Sequence, residues 1–579
     1  TRPSGNAIVL SPTDSSYVTG DFFVDGQLRL EVPVPPPFYL QLTSLEFADT
    51  LFLIEAVPQA GVIQLPLIEL SPPAWDLAAV TVKSTRPTYR QKPDGSVEVT
   101  VAETMLSTSS SVEDLLRLTP EIQFDDAGNL SVLGKGAATI FLDGRRVLPS
   151  QLATVLPANI ATIEIIRNPS ARYDAEGNAV IHIHTIARSR DGQQLQATQN
   201  LEYSPYAGSK MQTNLQGQLA RGRWNWSSFY NFERGRDVWQ QITTRDRTDE
   251  DIFFSSAVTT RWQPLLRHAS RYGLGVQQRL GTGTYWSLDY AGQYREVGGL
   301  IAARNVLADL DGQGVFGNET AQSVLERNHS LSFNYQQALD SLGSSLFVGA
   351  QYNDFAEATD NTILETSVEG LLDSQRRLLN IGERRIRITT LQLDWTQALS
   401  AEAQLEAGIK GSSVSNDSAT DFLQTVDTEG TLERDPTLSN VFNYREYIAA
   451  AYVSVNGKWG QHWQYTLGLR TEWTDYDVAV AAQAAAIADR YWAVFPNLSV
   501  NYRWNDDYQL HFSYRAGINR QPYDDLNPAL IYQDPFTSIQ GNPFLVPERV
   551  HALEINTQLR QLRWKTGYNY VRDPLGAAA

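Results

Sequence analysis

Residues 168–185 read NPSARYDAEGNAVIHIHT and carry the densest set of groups able to do chemistry in this chain. His182 and His184 stand two residues apart. An extended strand turns residues i and i+2 to one side, so both imidazoles would share a face. Asp174 and Glu176 lie beside a Gly-Asn turn and offer carboxylates. Two imidazoles and one carboxylate would make a three-ligand metal site, with Asp174 or Glu176 as the third ligand. The alternate positions, Ile181 and Ile183, are apolar and belong to a buried face. The preferred reading is therefore a junction. Asn168-Pro169 ends one strand, Tyr173-Asp174 and Gly177 form a turn, and Val180–Thr185 is the last strand of a small domain. The expectation is no metal site and no cofactor.

Other catalytic arrangements fail one by one. The 579 residues include no cysteine, which removes disulfides, thiolate zinc sites, Fe–S clusters and cysteine nucleophiles together. There is no GxSxG or HExxH, and the seven histidines are scattered apart from the pair above. Asp524-Asp525 are adjacent on an extended segment, so their carboxylates diverge. No DxDxDG spacing marks a calcium loop. Gly134-Lys135-Gly136 lacks the spacing of a phosphate loop. No catalytic residues are assigned, and the chain is not expected to be an enzyme. A net charge of −18 argues against a nucleic-acid groove, which needs a surplus of Lys and Arg.

The elements that position these residues fall into three stretches. Residues 1–82 alternate in short runs (Ala7–Leu10, Tyr17–Phe23, Gln27–Val32, Phe38–Leu42, Val62–Leu65), as expected of a small β-sandwich. Residues 83–190 read as an α+β unit. Ser110-Ser111-Val112-Glu113 opens a short helix with Leu115, Leu116 and Leu118 before Pro120. Asp143-Gly144 joins two strands as a hairpin turn, a second helix fits Ser150–Leu156, and Ala161–Ile166 is a strand. Residues 191–579 carry long strands of period two. In 463–473, Trp463, Tyr465, Leu467, Leu469 and Trp473 oppose Gln464, Thr466, Gly468, Arg470 and Glu472. Residues 508–518, 401–411 and 564–570 alternate in the same way.

One apolar and one polar face, aromatics near strand ends, and short turns (Arg221-Gly222-Arg223, Asn505-Asp506) facing long polar segments (297–325, 356–383, 412–444) predict a transmembrane β-barrel. Such a sheet must satisfy its own edges in lipid. About 16 strands of roughly ten residues are visible. The last residues, VRDPLGAAA, lack an aromatic closing position, so the expectation is a barrel that is incomplete at its C-terminus.

This order of domains resembles the TonB-dependent receptor superfamily, in particular outer-membrane β-barrel proteins with an N-terminal carboxypeptidase-regulatory-like domain. The resemblance lies in VLSPTDSSYVTGDFFVDGQLRLEVPVPPPFYLQL, in SVEDLLRLTPEIQFDDAGNLSVLGKGAATIFLDGRRV and in ATIEIIRNPSARYDAEGNAVIHIHT. It extends to Gly541-Asn542-Pro543-Phe544-Leu545-Val546-Pro547-Glu548, late in the barrel. The resemblance implies a 22-stranded barrel enclosing a plug, in the outer membrane of a Gram-negative bacterium. It also implies import driven by a TonB-type periplasm-spanning protein. That protein would pair with a TonB box, for which Ala79, Val80, Thr81, Val82 and Lys83 are the candidate. Lys135, Arg145 and Arg146 on plug hairpins are candidates to meet ligand, although tight turns within the plug sheet explain them as well. Two functions follow. One is uptake of a scarce, bulky ligand such as a metal chelate, oligosaccharide or peptide. The other is a structural subunit of a larger outer-membrane complex, with a surface lipoprotein as a possible partner.

Overall fold

The computed structural model describes residues 4–574, apart from 45–46, 57–61, 72–87, 93–95, 110, 125–129, 134, 144, 148–151, 153–154, 156, 177–178, 187–190, 250–251, 310–312, 369–374, 426–429, 482–486, 506, 529, 535–536 and 561. The chain divides into two compact units, Thr1–Thr85 and Arg86–Ala579.

In the first unit the strands Tyr17–Phe23, Gly5–Leu10, Phe38–Thr43 and Thr50–Ile54 form one antiparallel sheet in that order. Period-two burial places Ala7, Val9, Phe23, Phe38, Leu40 and Leu42 on its inner face. The residues expected to form further strands, Gln27–Val32 and Val62–Leu65, lie outside the ladder. Leu28, Leu30, Val32, Ile63 and Leu65 instead pack as irregular chain on that apolar face. Prolines at 33 and 35–37 follow the first of these runs and lack the N–H groups a strand needs.

The second unit begins with an eight-stranded plug sheet. Its path runs Tyr89–Gln91, Val97–Thr100, Ile160–Ile166, Ala179–Thr185, Gly136–Leu142, Leu130–Val132 and Ile122–Phe124, with Arg145–Val147 paired beside Gly136–Leu142. The helix Val112–Arg117 lies against it. Its N-cap is Ser111, whose Oγ accepts from Asp114 N, one residue beyond the Ser110–Glu113 frame expected from the sequence. Val112, Leu115 and Leu116 join Ile163, Ile165, Ile181 and Ile183 in one apolar core. Leu118 is the C-cap and is exposed. Ser150–Leu156 falls largely outside the described residues.

The remaining strands form a 17-stranded antiparallel sheet, from Gly192–Ser204 to Leu562–Arg572. Two of these elements continue a neighbour's line. Trp224–Arg236 and Trp239–Asp249 pair successively with Ile252–Gly281, as Leu432–Arg434 and Asn440–Trp459 do with Ala403–Thr425. Among the described residues, fifteen separate lines of strand result, against the expected number of about 16. The sheet wraps the plug, because plug side chains and carbonyls meet Gln218, Tyr285, Lys410, Arg470, Asn497, Ser513 and Glu554 along its length.

Burial is inverted relative to a soluble sheet. Leu467 and Leu469 are 51% and 47% exposed, whereas Arg470 and Glu472 on the other face are 3% and 2% exposed. Outward leucines beside buried charges are stable only if the outside is lipid. Trp224, Trp226, Trp459, Trp463, Trp504 and Trp564 are exposed beside the short turns, as an interfacial girdle requires. From Trp463 to Trp473 the outward row spans about 33 Å of strand, or about 25 Å of membrane at a tilt of about 40°.

The segments expected to be long loops, 297–325, 356–383 and 412–444, are mostly strand. Thr284–Asp309, Gln313–Ala338, Ser345–Val368, Gln375–Ala398 and Ala403–Thr425 run through them. About ten residues suffice to cross a bilayer, yet Ile252–Gly281 has 30. Beyond the lipid the ladder continues with polar residues, held by cross-strand pairs. Arg385 Nη2 lies 2.6 Å from Asp354 Oδ2 and Arg295 Nη1 lies 2.6 Å from Glu326 Oε1. Loss of the apolar face made these strands look like loops.

Candidate functional site

The stretch that first looked chemical is the seam along which the plug meets the wall. Asn168 Nδ2 donates to Ser513 Oγ (2.8 Å), and Asn497 Nδ2 donates to the carbonyl of Pro169 (2.9 Å). Ala171 packs against Gly468 so closely that a Cβ added there would lie 2.9 Å from the Ala171 Cβ. Arg172 Nε approaches Asp394 Oδ2 at 3.4 Å. Lys410 Nζ donates to both oxygens of Asp174 at 2.7 Å, and Arg470 Nη2 reaches Oδ1 at 3.3 Å. The carbonyl of Ala175 accepts from Ile518 N (3.2 Å) and from Arg515 Nη2 (3.3 Å). Glu176 faces Arg520 Nη1 at 3.9 Å. The wall's contribution comes from the polar face of its period-two strands, which lipid on the outside forces inward.

A second contact lies around Glu554, a buried carboxylate on the strand Glu548–Leu559. Lys135 Nζ is 2.9 Å from Glu554 Oε2 and also donates to Asn168 Oδ1 at 2.8 Å. Arg167 Nε is 3.6 Å from Glu554 Oε1, while its Nη1 donates to Glu121 Oε2 at 3.2 Å. Lys565 Nζ approaches Oε1 at 3.9 Å. Burial of Lys135 pushes its ammonium below the ordinary lysine range, against the opposing pull of Glu554. Lys135, named from the sequence as a ligand candidate, is thus engaged by the wall. Arg145 and Arg146 lie on the strand Arg145–Val147, and their side chains are outside the described residues. The box candidate Ala79–Lys83 also lies outside them.

On the long-strand side of this seam is a cavity of about 390 Å³. Asp174 and Glu176 form its plug side, and Tyr444, Tyr476, Tyr491 and Tyr523 contribute aromatic faces. Arg520 organises the charge: its Nη2 donates to Glu472 Oε2 at 2.8 Å, and its Nε lies 3.7 Å from Glu446 Oε1. The short helix Tyr523–Leu526 covers it, with Leu526 buried among Phe442, Tyr444, Val478 and Val480. Asn542 N donates to the carbonyl of Asp525 (2.7 Å), so the Gly541–Glu548 motif holds this cover in place. Size and aromatic lining suit part of a polar organic ligand.

The histidines lie on the plug strand Ala179–Thr185, where the His182 ring meets Phe141, which in turn packs edge-on against Tyr173. His182 and His184 do share a face, with ring centroids 4.2 Å apart. The acid beside them is Glu164, from the neighbouring strand, and Asp174 and Glu176 are committed to the seam and the cavity. Burial holds His182 down to about 3. Burial opposes charge on Glu164, but hydrogen bonds from His184, Lys92 and Ser96 outweigh it and hold the carboxyl at about 2.

Sequence reading missed Lys410, Arg470, Arg520 and Glu554 as partners of the plug. The available signal was charge on the strand face opposite the aromatic one, which a membrane strand must bury in its lumen.

Residues 337–574 match the model of the Outer membrane protein beta-barrel family. No curated protein matches the chain. Among solved structures, the copper transporter OprC shares the fold at 12% identity, over 83% of this chain and 72% of that one, with a TM-score of 0.51. Also similar are the ferric citrate transporter FecA in its unliganded form (14% identity, 81% and 68% covered, TM-score 0.46) and the siderophore receptor PiuA from Acinetobacter baumannii (9%, 82% and 78%, 0.37).

Proposed function

We propose that this chain, whose residues 337–574 match an outer-membrane β-barrel family and whose fold is shared by the copper transporter OprC, imports a scarce, bulky ligand by energised movement of its plug in the manner of the TonB-dependent receptors. The observation that carries this reading is the nature of the seam. The plug keeps its apolar core to itself, and its contacts with the wall are predominantly ion pairs and hydrogen bonds. Water entering a displaced seam can solvate the charged and polar groups it frees, and the apolar contact of Ala175 with Ala493, Phe495, Ala516 and Ile518 is small, so the plug can leave the wall without exposing its own core.

The ligand enters at the cavity beneath the helix Tyr523–Leu526. The cavity's Lys410, Arg470 and Arg520 each face a carboxylate already. A strongly anionic cargo would have to displace these partners. Four tyrosine faces favour a hydroxyl- or amide-rich ligand, such as an oligosaccharide or peptide. The energy comes from a TonB-type partner that pairs with Ala79–Lys83 by strand addition, a geometry that resists pulling in shear.

Deleting Ala79–Lys83 tests this. Uptake of oligosaccharide or peptide nutrients by cells dependent on this receptor is expected to stop, with the barrel still inserted at normal levels. Uptake at the wild-type rate would overturn energised import. It would favour the alternative of a receptor-like barrel serving as a subunit of a larger complex with a surface lipoprotein.

A further inference from the structure

We propose that Glu164, His182 and His184 form a binding site for a divalent transition-metal cation of the zinc class on the plug. Glu164 stands directly opposite His182 in the antiparallel pair Ile160–Ile166 and Ala179–Thr185. His184 follows two residues on, so its side chain returns to the same face. One ligand atom from each residue lies within 4.8 Å of the other two, and His184 Nε2 is 3.8 Å from Glu164 Oε2. Bonds of about 2.1 Å place tetrahedral ligand atoms about 3.4 Å apart. Closing on a cation therefore needs side-chain movements of roughly an ångström, with the backbone unchanged.

The surroundings match what such a site requires. Lys92 Nζ and Ser96 Oγ hold Glu164 Oε1 at 2.7 and 2.9 Å, which fixes the carboxylate with Oε2 turned toward His184. Two nitrogens and one oxygen, without thiolate or thioether, select Zn²⁺, Ni²⁺ or Cu²⁺ over Ca²⁺, Mg²⁺ and Cu⁺. His184 is partly exposed, which gives a cation access and leaves room for water as a fourth ligand. The site is separate from the cavity under Tyr523–Leu526 and does not depend on what that cavity binds. The sequence reading expected no metal here because the third ligand comes from a strand about 20 residues earlier, through pairing that local spacing does not reveal.

Titration of the full chain in detergent with Zn²⁺, against a chromophoric chelator, tests the assignment, with Co²⁺ as a spectroscopic substitute. One Zn²⁺ per chain is expected, and bound Co²⁺ should show visible d–d bands. His184→Ala and Glu164→Gln should each weaken Zn²⁺ binding by about tenfold or more and remove the bands, while His462→Ala changes neither. Because His184 is partly exposed, His184→Asn provides a variant that keeps the fold and should lose the metal equally. Absence of stoichiometric Zn²⁺ on the wild-type chain, or undiminished binding in His184→Asn, would overturn the proposal.

Discussion

Replacing Glu554 with alanine is expected to weaken the seating of the plug by about 3–5 kcal/mol, the usual cost of removing one member of a buried ion pair. Glu554 is 6% exposed and faces Lys135, Arg167 and Lys565. Lys135 and Arg167 are nearly as buried as the carboxylate, so water cannot readily take its place. Lys565 is more exposed and adds little. Arg167 keeps Glu121 as a partner, which makes Lys135 the group left worst off. Urea titration followed by proteolysis of the plug should therefore show release at lower denaturant, with the barrel's own unfolding unmoved. In a double-mutant cycle with Lys135→Ala, the pair should couple by about 1–3 kcal/mol. Equal release midpoints for the wild type and Glu554→Ala would refute a plug seated by charge.

The second large effect is at Arg520. Arg520→Ala leaves Glu472, Glu446 and Glu176 around the cavity without the cation they share. Glu472 retains Arg470 at 2.7 Å, whereas Glu446 keeps the hydroxyls of Tyr444 and of Tyr523 (3.5 Å), which supply no positive charge. Repulsion between the buried carboxylates would loosen the helix Tyr523–Leu526 and lift Leu526 from its apolar contacts. About 3 kcal/mol lost here corresponds to roughly 100-fold more frequent local opening. Hydrogen exchange of amides 523–526 should accelerate by that order, while the plug core exchanges as before. Arg520→Lys should recover part of the protection, because an ammonium supplies charge without the guanidinium's forked geometry. Unchanged exchange in Arg520→Ala would show that Arg520 does not hold the cover.

The barrel was legible because lipid imposes a strict rule on both faces of a strand. Trp463, Leu467, Leu469 and Trp473 against Arg470 and Glu472 announced it directly. Strand ends were less legible. Above the bilayer both faces are wet, so Ser345–Val368 and Ala403–Thr425 lose their alternation and read as loop. In the plug, the helix start, to within one residue of its capping serine, and the Asp143 turn were visible locally. Asp143 takes a positive φ of 48° and accepts from Thr185 N at 2.8 Å. The seam was not visible, because Asp174 and Lys410 are separated by 236 residues. No periodicity links such a pair, and only the constraint that each is polar on an inward face hinted at it. The same limit hid Glu164 beside the histidines.

The tight packing of plug against wall at Ala171 and Gly468 offers the most direct test of the whole account. Ala171 and Gly468 stand where two β-carbons would be 2.9 Å apart, a small adjustment away from the roughly 3.8 Å of a disulfide. The chain has no cysteine of its own, so the pair Ala171→Cys and Gly468→Cys can form only that bridge within it. Ligand uptake by cells carrying this double variant should be abolished while the bridge is oxidised and restored when it is reduced, with each single variant transporting throughout. Full uptake with the plug covalently fixed to the wall would contradict import by plug movement.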